Sequence, residues 1–205
     1  MNTYCNNITF TSKITPVLQQ DFNKISKHMG IDNLAGYPWV LGTSVKGPMV
    51  YTQDVLNCSV CLITDGKEAL LMHLNPCRSQ NHDFEAVLKF TKRNMDVCNK
   101  NLHAILIGSK NVPNSLELFD KFKRMLSSLN IPFSVLKNGK KPTNIAYNAE
   151  KDEVFVSSES IDYMLKHGLG NEKTLINAFE SVEINKIDFI PKHFDKKRAN
   201  FCPFF

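Results

Sequence analysis

A thiol and an imidazole flank a turn signal in this chain. Cys58 and His73 lie on either side of Asp65-Gly66, which separates two apolar runs. Asp-Gly in such a place predicts a β-hairpin, because a two-residue type I′ loop needs positive φ at both central positions. If these two residues form the whole loop, Cys58 lies directly opposite His73. Directly opposed residues have Cβ atoms roughly 4.5–5.5 Å apart, so the imidazole could hold and deprotonate the thiol, as in a cysteine nucleophile site.

The same register separates Cys58 from its neighbour Cys61. The odd offset between the two cysteines sends Cys61 to the other face of the sheet, where we expect it to be a packing residue opposite Leu70. Val60 and Leu62 share the face of Cys58 and predict an apolar stripe beside it. We expect His73 to lower the pKa of the Cys58 thiol and to make it the most reactive cysteine of the chain.

The elements that must position these residues are strands in the first half of the chain. Apolar runs predict strands at 49–56, 59–63 and 69–73, with a weaker one at 6–12. Thr15-Pro16 has the residue types of an N-cap and first helical position, which predicts a helix to about Met29. Residues 32–48 are rich in glycine and proline and predict a loop, which includes Trp39.

Helices and strands alternate in the second half. The spacing of apolar residues predicts helices at 83–101, 115–129, 161–167 and 173–179, strands at 103–107 and 132–136, a turn at Asn138-Gly139, and a hairpin of 144–147 with 153–156. From Asn185 onward we expect an extended tail. The predicted fold class is α+β, an α/β sandwich in which a mixed β-sheet sandwich carries flanking helices. We expect a single domain over residues 1–205.

Composition excludes several classes of protein. The 205 residues are 42% hydrophobic, which suits one buried core. The net charge is +5, and the basic residues are scattered except at 137–141 and 192–198, which favours a solvated surface over nucleic-acid binding. Six cysteines are too few for a disulfide scaffold, and the histidines lack metal-ligand spacing, so we expect no metal and no cofactor. No apolar run reaches 18 residues and no signal peptide precedes residue 12, which predicts a cytoplasmic protein or one exported by a specialised secretion system.

Two segments around the proposed pair resemble the CheD family of chemoreceptor glutamine deamidases. They are LNCSVCL at 56–62 and LMHLNP at 71–76, which resemble the nucleophile strand and the histidine strand of that family. The likeness continues in HAILIG at 103–108, SLNIP at 128–132, NGK at 138–140, NIAYN at 144–148 and VFV at 154–156. It covers about residues 49–158 and implies a CheD-like core for the fold.

The resemblance also implies a reaction and a third site residue. Bacterial toxin deamidases, namely the cytotoxic necrotizing factors and Burkholderia lethal factor, have a similar Cys-His arrangement, and in the CheD and lethal factor sites a threonine before the cysteine completes it. Thr52 is the best match to that threonine. Cys58 would then attack a glutamine side chain of a protein substrate, His73 would protonate the leaving ammonia, and Thr52 would orient His73 through its hydroxyl or its backbone carbonyl. The chain departs from the family at Leu56-Asn57, where CheD proteins have Gly-Ser, and at Gly108-Ser109, where they have Gly-Gly.

Several activities remain open at this stage. The same thioester serves a transglutaminase or a cysteine protease, and a CheD-like binding module without activity would keep the fold. About 48 residues precede the resemblance and about 47 follow it, which suits a bacterial effector or toxin acting on a host protein rather than on a chemoreceptor. The oligomeric state and the target protein cannot be predicted from these residues.

Overall fold

The chain forms ten strands and four helices within the residues that the computed structural model describes, which are 12–35, 42–74, 76, 84–108, 113–137, 142–168 and 180–182. The strands are β1 (Lys13–Pro16), β2 (Gly42–Gly47), β3 (Met49–Val55), β4 (Ser59–Thr64), β5 (Ala69–Leu74), β6 (His103–Gly108), β7 (Phe133–Lys137), β8 (Thr143–Asn148), β9 (Glu153–Ser158) and β10 (Glu180–Val182). The helices are α1 (Gln19–Met29), α2 (Phe84–Asn94), α3 (Pro113–Ser128) and α4 (Glu159–Lys166), and a 3₁₀ turn spans Ile31–Asn33.

The strands form two mixed sheets. One has four strands in the order β1-β9-β8-β3, and the other has six in the order β10-β7-β6-β4-β5-β2. The pairs β1–β9 and β6–β7 are parallel, whereas the other pairs are antiparallel. The α+β class and the mixed sheets predicted from the sequence are therefore confirmed.

Three apolar clusters define the layers. One cluster lies between the sheets and joins β3, β8 and β9 to β4, β5 and β6; it includes Val50, Tyr147, Val154, Val60, Leu71 and Ile105. A second cluster joins the opposite face of the six-stranded sheet to α2 and α3. A third joins α1 to the outer face of the four-stranded sheet through Phe22, Met29, Tyr51 and Ala146. The order of layers is thus helix, sheet, sheet, helices, because each sheet has two apolar faces to bury.

Two predictions about the first 48 residues are wrong. Thr15-Pro16 does not start a helix: it lies in β1, where Thr15 pairs with Phe155 of β9, and α1 begins only at Gln19. Pairing with β9 outweighs the local capping signal. Residues 42–47, predicted as loop, form the edge strand β2 along β5, because the ladder that β5 offers outweighs the low strand propensity of the two glycines.

The helix predicted at 83–101 ends at Asn94. Beyond it, the side chain of Asp96 accepts a hydrogen bond from the backbone N–H of Cys98, and Asn99 does the same for Asn101. Asp and Asn compete in this way with helical hydrogen bonds, which explains the early end. The strands predicted in the second half, the hairpin of β8 with β9, and the helices α3 and α4 are confirmed.

Some predictions lie outside the described residues. They are most of the strand at 6–12, the placement of Trp39, the turn at Asn138-Gly139, the helix at 173–179 and the tail from Asn185.

Candidate active site

The hairpin that carries the predicted pair closes two residues later than expected. Thr64 pairs with Ala69, so the loop has four residues, 65–68, and Val60 rather than Cys58 lies opposite His73. The predicted register, with Cys58 directly opposite His73, is therefore wrong. Cys58 lies one residue before β4, at the position diagonal to His73. Diagonal neighbours on one face of a sheet are roughly 7–8 Å apart, within reach of a long or aromatic side chain.

Side chains in the loop explain its length. The carboxylate of Asp65 accepts hydrogen bonds from the backbone N–H groups of Lys67 at 2.9 Å and of Glu68 at 3.1 Å. The hydroxyl of Thr64 accepts from the N–H of Gly66 at 3.0 Å. These bonds satisfy backbone groups that a two-residue loop would pair across the strands, so they favour the wider turn.

The face of each residue is as predicted, because a shift of two residues is even and leaves every side chain on its side of the sheet. Cys58, Val60 and Leu62 belong to the apolar cluster between the sheets. Cys61 lies on the opposite face, fully buried against residues of the helical layer. The prediction that Cys61 is a packing residue is confirmed.

Thr52 and His73 meet across the two sheets. Thr52 is on β3 and His73 is on β5, and the Thr52 hydroxyl oxygen is 2.6 Å from Nδ1 of His73. The same hydroxyl donates a hydrogen bond of 2.6 Å to the backbone carbonyl of Ala35. Thr52 is 0% exposed and His73 is 2% exposed. The structure therefore brings together the threonine and the histidine that the sequence paired only by resemblance.

The proton positions follow from this chain of contacts. The carbonyl of Ala35 can only accept, so the single proton of the Thr52 hydroxyl points to it. The hydroxyl oxygen then accepts from Nδ1–H of His73, and a hydrogen bond to the Ala35 backbone acts on the imidazole as well. In the neutral imidazole this arrangement leaves the lone pair on Nε2. That nitrogen is the one able to take a proton from a thiol.

Ala35 is a site residue that sequence reasoning missed. Its N–H donates to the carbonyl of Tyr51 at 2.8 Å, and Leu34 forms a parallel bridge to Tyr51. The segment after the 3₁₀ turn is thus fastened to β3 one residue before Thr52. Ala35 contributes its backbone carbonyl, a group that every residue has. The residue type therefore gives no signal, and only the fold brings this carbonyl to the site.

Burial sets the ionisation of the pair. It raises the pKa of the Cys58 thiol to about 12. It lowers the pKa of His73 to about 4, and a hydrogen bond to the Ala35 backbone partly offsets this lowering. Both groups are therefore neutral near pH 7. The expectation that His73 lowers the pKa of Cys58 is wrong, because desolvation outweighs it. If Cys58 acts as a nucleophile, its proton has to leave as the sulfur attacks, in general-base fashion.

The end of β6 approaches the backbone of Cys58 closely. Gly108 has a φ of 146°, and a Cβ placed there would lie 3.1 Å from the Ser59 hydroxyl and 3.3 Å from the Cys58 carbonyl. Glycine is required here by both its conformation and the space.

Two polar atoms next to Cys58 are buried without a hydrogen-bond partner, namely Oδ1 of Asn57 and the hydroxyl of Ser59. Buried polar atoms without a partner are rare in proteins. The sequence alone cannot show that either atom lacks a partner. The site thus has more polar capacity around the thiol than its own contacts use.

Comparison with known proteins gives no information about this site. No family of known proteins and no curated protein sequence matches the chain. Within the described ranges, no helix has both the length and the apolar character needed to cross a membrane. Over the same ranges, no three His, Cys, Asp or Glu side chains gather as metal ligands would. A function must therefore be argued from the chemistry of Cys58, His73 and Thr52.

Proposed function

We propose that this protein is a protein-glutamine deamidase, with Cys58 as nucleophile, His73 as general base and acid, and Thr52 as the residue that orients His73. The observation that carries the proposal is the chain from His73 Nδ1 through the Thr52 hydroxyl to the Ala35 carbonyl, with 2.6 Å for each contact. It presets the tautomer that a base needs, on the face of the sheet that also holds Cys58. The resemblance to CheD proteins, with a CheD-like core, supports the same assignment.

The reaction balances with these three residues and water. Nε2 of His73 takes the Cys58 proton as the sulfur bonds to the carboxamide carbon, and the oxyanion accepts the backbone N–H of Cys58, a contact worth on the order of 3 kcal/mol when well placed. The carbon–nitrogen bond then breaks, and His73 returns the proton to the leaving ammonia. Water attacks the thioester with His73 as base again, which releases glutamate and restores the thiol.

The burial of the site favours a side-chain amide as substrate. Cys58 is 8% exposed and His73 is 2% exposed, which favours a slender substrate group over a bulky one. A glutamine side chain fits that requirement better than the main chain of a peptide, which supports deamidation over proteolysis. We assign the choice of target protein to the segments outside 49–158, and an exported effector acting on a host protein is the setting that their length suits best.

The test does not require a known target. Proteins extracted from bacterial and from eukaryotic cells are incubated with the wild-type chain, and peptide mass spectrometry maps each glutamine that becomes glutamate. We expect conversion with the wild type and with Cys61→Ala, a buried cysteine on the other face of the sheet. We expect none with Cys58→Ala or His73→Ala.

The other activities of a thioester enzyme give different products in the same experiment. New glutamine–lysine cross-links would indicate a transglutaminase, and new peptide ends would indicate a protease. Identical peptide maps for the wild type and Cys58→Ala would contradict the proposal.

A further inference from the structure

Strand β3 carries an extra residue directly after Thr52. Thr52 pairs with Ile145 and Val55 pairs with Thr143, so Gln53 and Asp54 together face the single residue Asn144. This is a β-bulge, which bends the strand and increases its twist. Thr52 and Cys58 lie on either side of it along one short segment, so the bulge sets how the two site residues are placed.

The bulge places a residue other than glycine in a left-handed backbone conformation. Asp54 has a φ of 58°, and its side chain is exposed and makes no part of the site. Asp enters this region more readily than most side chains do, although less readily than glycine. A contact to its backbone helps to hold the conformation here.

That contact comes from the carboxamide of Asn144. Its Oδ1 accepts the backbone N–H of Asp54 at 3.0 Å, the group that the bulge removes from the ladder. Its Nδ2 donates to Oε1 of Gln19 at 2.8 Å and lies 3.4 Å from the Ser157 hydroxyl, which itself donates to Gln19 at 2.7 Å. Asn144 is 4% exposed. Residues of α1 and β9 orient the amide from one side, and its Oδ1 binds the backbone of β3 on the other side.

We infer that Asn144 is a positioning residue of the active site, which holds the β3 bulge and through it fixes Thr52 relative to Cys58. The inference rests on the proposed function for its catalytic consequence, although its structural part does not. Without the Oδ1 contact, the bulge relaxes toward regular pairing and the Thr52 hydroxyl leaves its place between His73 and Ala35. Small misplacements of this kind lower turnover by up to about 100-fold without removing any reacting group.

Two measurements test the inference in the full chain. The first is the exchange of the His73 Nδ1 proton with solvent, followed by NMR, which needs no substrate. The second is ammonia release from a blocked glutaminyl-glycine dipeptide, analysed as kcat and KM. For Asn144→Ala we expect faster exchange of that proton, a kcat lower on the order of 10- to 100-fold, and a nearly unchanged KM.

Matched variants separate positioning from general damage. Asn144→Asp keeps an acceptor for the Asp54 N–H but loses the donor to Gln19, so it should recover only part of the lost protection and turnover. Asn148→Ala removes another carboxamide of β8, one whose Oδ1 accepts the Glu150 N–H at 2.9 Å, and should resemble the wild type. If Asn144→Ala does not fold, Asn144→Leu, which fills the volume without an acceptor, takes its place.

The outcomes distinguish this inference from the proposed function. If the wild type releases no ammonia but Asn144→Ala still exchanges the His73 proton faster, the proposed function fails and the positioning role stands. If the proton exchanges at the wild-type rate in Asn144→Ala, Asn144 does not position Thr52, whatever the activity.

Discussion

Two polar clusters tie the two sheets together, and they differ in the acceptor at their centre. One is the candidate active site of Cys58, His73, Thr52 and the Ala35 carbonyl. The other, here called the far cluster, consists of Thr64, Tyr147, Asp152, Ser12 and His103. Thr64 ends β4 and Cys58 precedes its start, so the clusters lie roughly 20 Å apart at about 3.3 Å per residue.

The far cluster is centred on a carboxylate. The hydroxyls of Tyr147 and Ser12 both donate to Oδ1 of Asp152, at 3.1 and 2.6 Å, and Thr64 lies 2.8 Å from the Tyr147 hydroxyl. Burial raises the pKa of Tyr147 to about 12, so its proton stays in place. The Thr64 hydroxyl donates to the Glu68 carbonyl at 2.8 Å, and both ring nitrogens of His103 have polar neighbours, the Ser12 hydroxyl at 2.9 Å and the Asn101 carbonyl at 3.0 Å. Such a cluster stabilises the fold, because each of its hydroxyl protons has an acceptor.

The hydrogen bonds of the candidate active site end on the neutral carbonyl of Ala35 instead. The Ala35 oxygen takes the Thr52 proton, Thr52 takes the proton of His73 Nδ1, and a lone pair remains at the other end of the imidazole. Each cluster therefore contains a threonine hydroxyl that lies between the two sheets. In the far cluster this hydroxyl serves stability, and in the candidate active site we propose that it prepares a base. The direction of the proton chain makes the difference.

The largest expected effect comes from removing the base. His73→Ala should lower turnover by at least about 1,000-fold, as is typical when a member of a catalytic unit is lost. Tyr147→Phe, the matching change in the far cluster, should leave turnover unchanged. Ammonia release from the blocked glutaminyl-glycine dipeptide measures both, and equal losses in the two variants would erase the distinction between the clusters.

The pH dependence of stability should report His73 next. Burial lowers its folded pKa from 6.5 to about 4, so between these values the unfolded chain binds a proton that the folded chain does not. Stability should therefore fall as the pH drops from about 6.5 toward 4, by on the order of 3 kcal/mol. Urea unfolding across this pH range should show a smaller fall in unfolding free energy for His73→Gln than for the wild type. An equal fall in the two proteins would contradict a neutral, buried imidazole.

The two threonines should respond oppositely to valine. Thr52→Val leaves the imidazole without its orienting hydroxyl and should lower kcat on the order of 10-fold or more, with partial recovery in Thr52→Ser. Thr64→Val should cost about 1–2 kcal/mol of unfolding free energy and leave kcat as it is. Paired kinetic and urea-unfolding measurements check this, and a kcat loss confined to Thr64→Val would reverse the assignment.

The smallest effect concerns the reactivity of the thiol at rest. With its pKa raised to about 12, Cys58 should react with iodoacetamide at pH 7 more slowly than Cys98, which is exposed. Peptide mass spectrometry after brief labelling gives the order of reaction. Preferential labelling of Cys58 would show a preformed thiolate and contradict general-base attack.

Local pattern predicted the faces of the hairpin but not its register. Alternation along the strand separates Cys58 from Cys61 whatever the loop length, provided that the shift is even. The register depends on how Asp65 and Thr64 hydrogen-bond the loop, and a dipeptide signal does not contain that information. The even shift kept Cys58 and His73 on one face of the sheet, as diagonal rather than directly opposed neighbours.

The parts of the site that depend on tertiary structure could not be predicted. Thr52 entered only through a resemblance, because on its own it is an ordinary strand residue. Ala35 and Asn144 gave no signal: one acts through its backbone, and the other faces a bulge that exists only when β3 pairs with β8. Strand β2 and the start of α1 depend likewise on partners remote in the chain.

The central claim is that the two sheets hold His73 as a neutral base with its proton on Nδ1 and its lone pair on Nε2. Nitrogen-15 NMR of the histidine side chains tests it without any substrate. At pH 7 the account predicts a protonated Nδ1 and an unprotonated Nε2 for His73, and a rapidly exchanging Nδ1 proton in Thr52→Val. A His73 imidazolium, or a proton on Nε2, in the wild-type chain would contradict it.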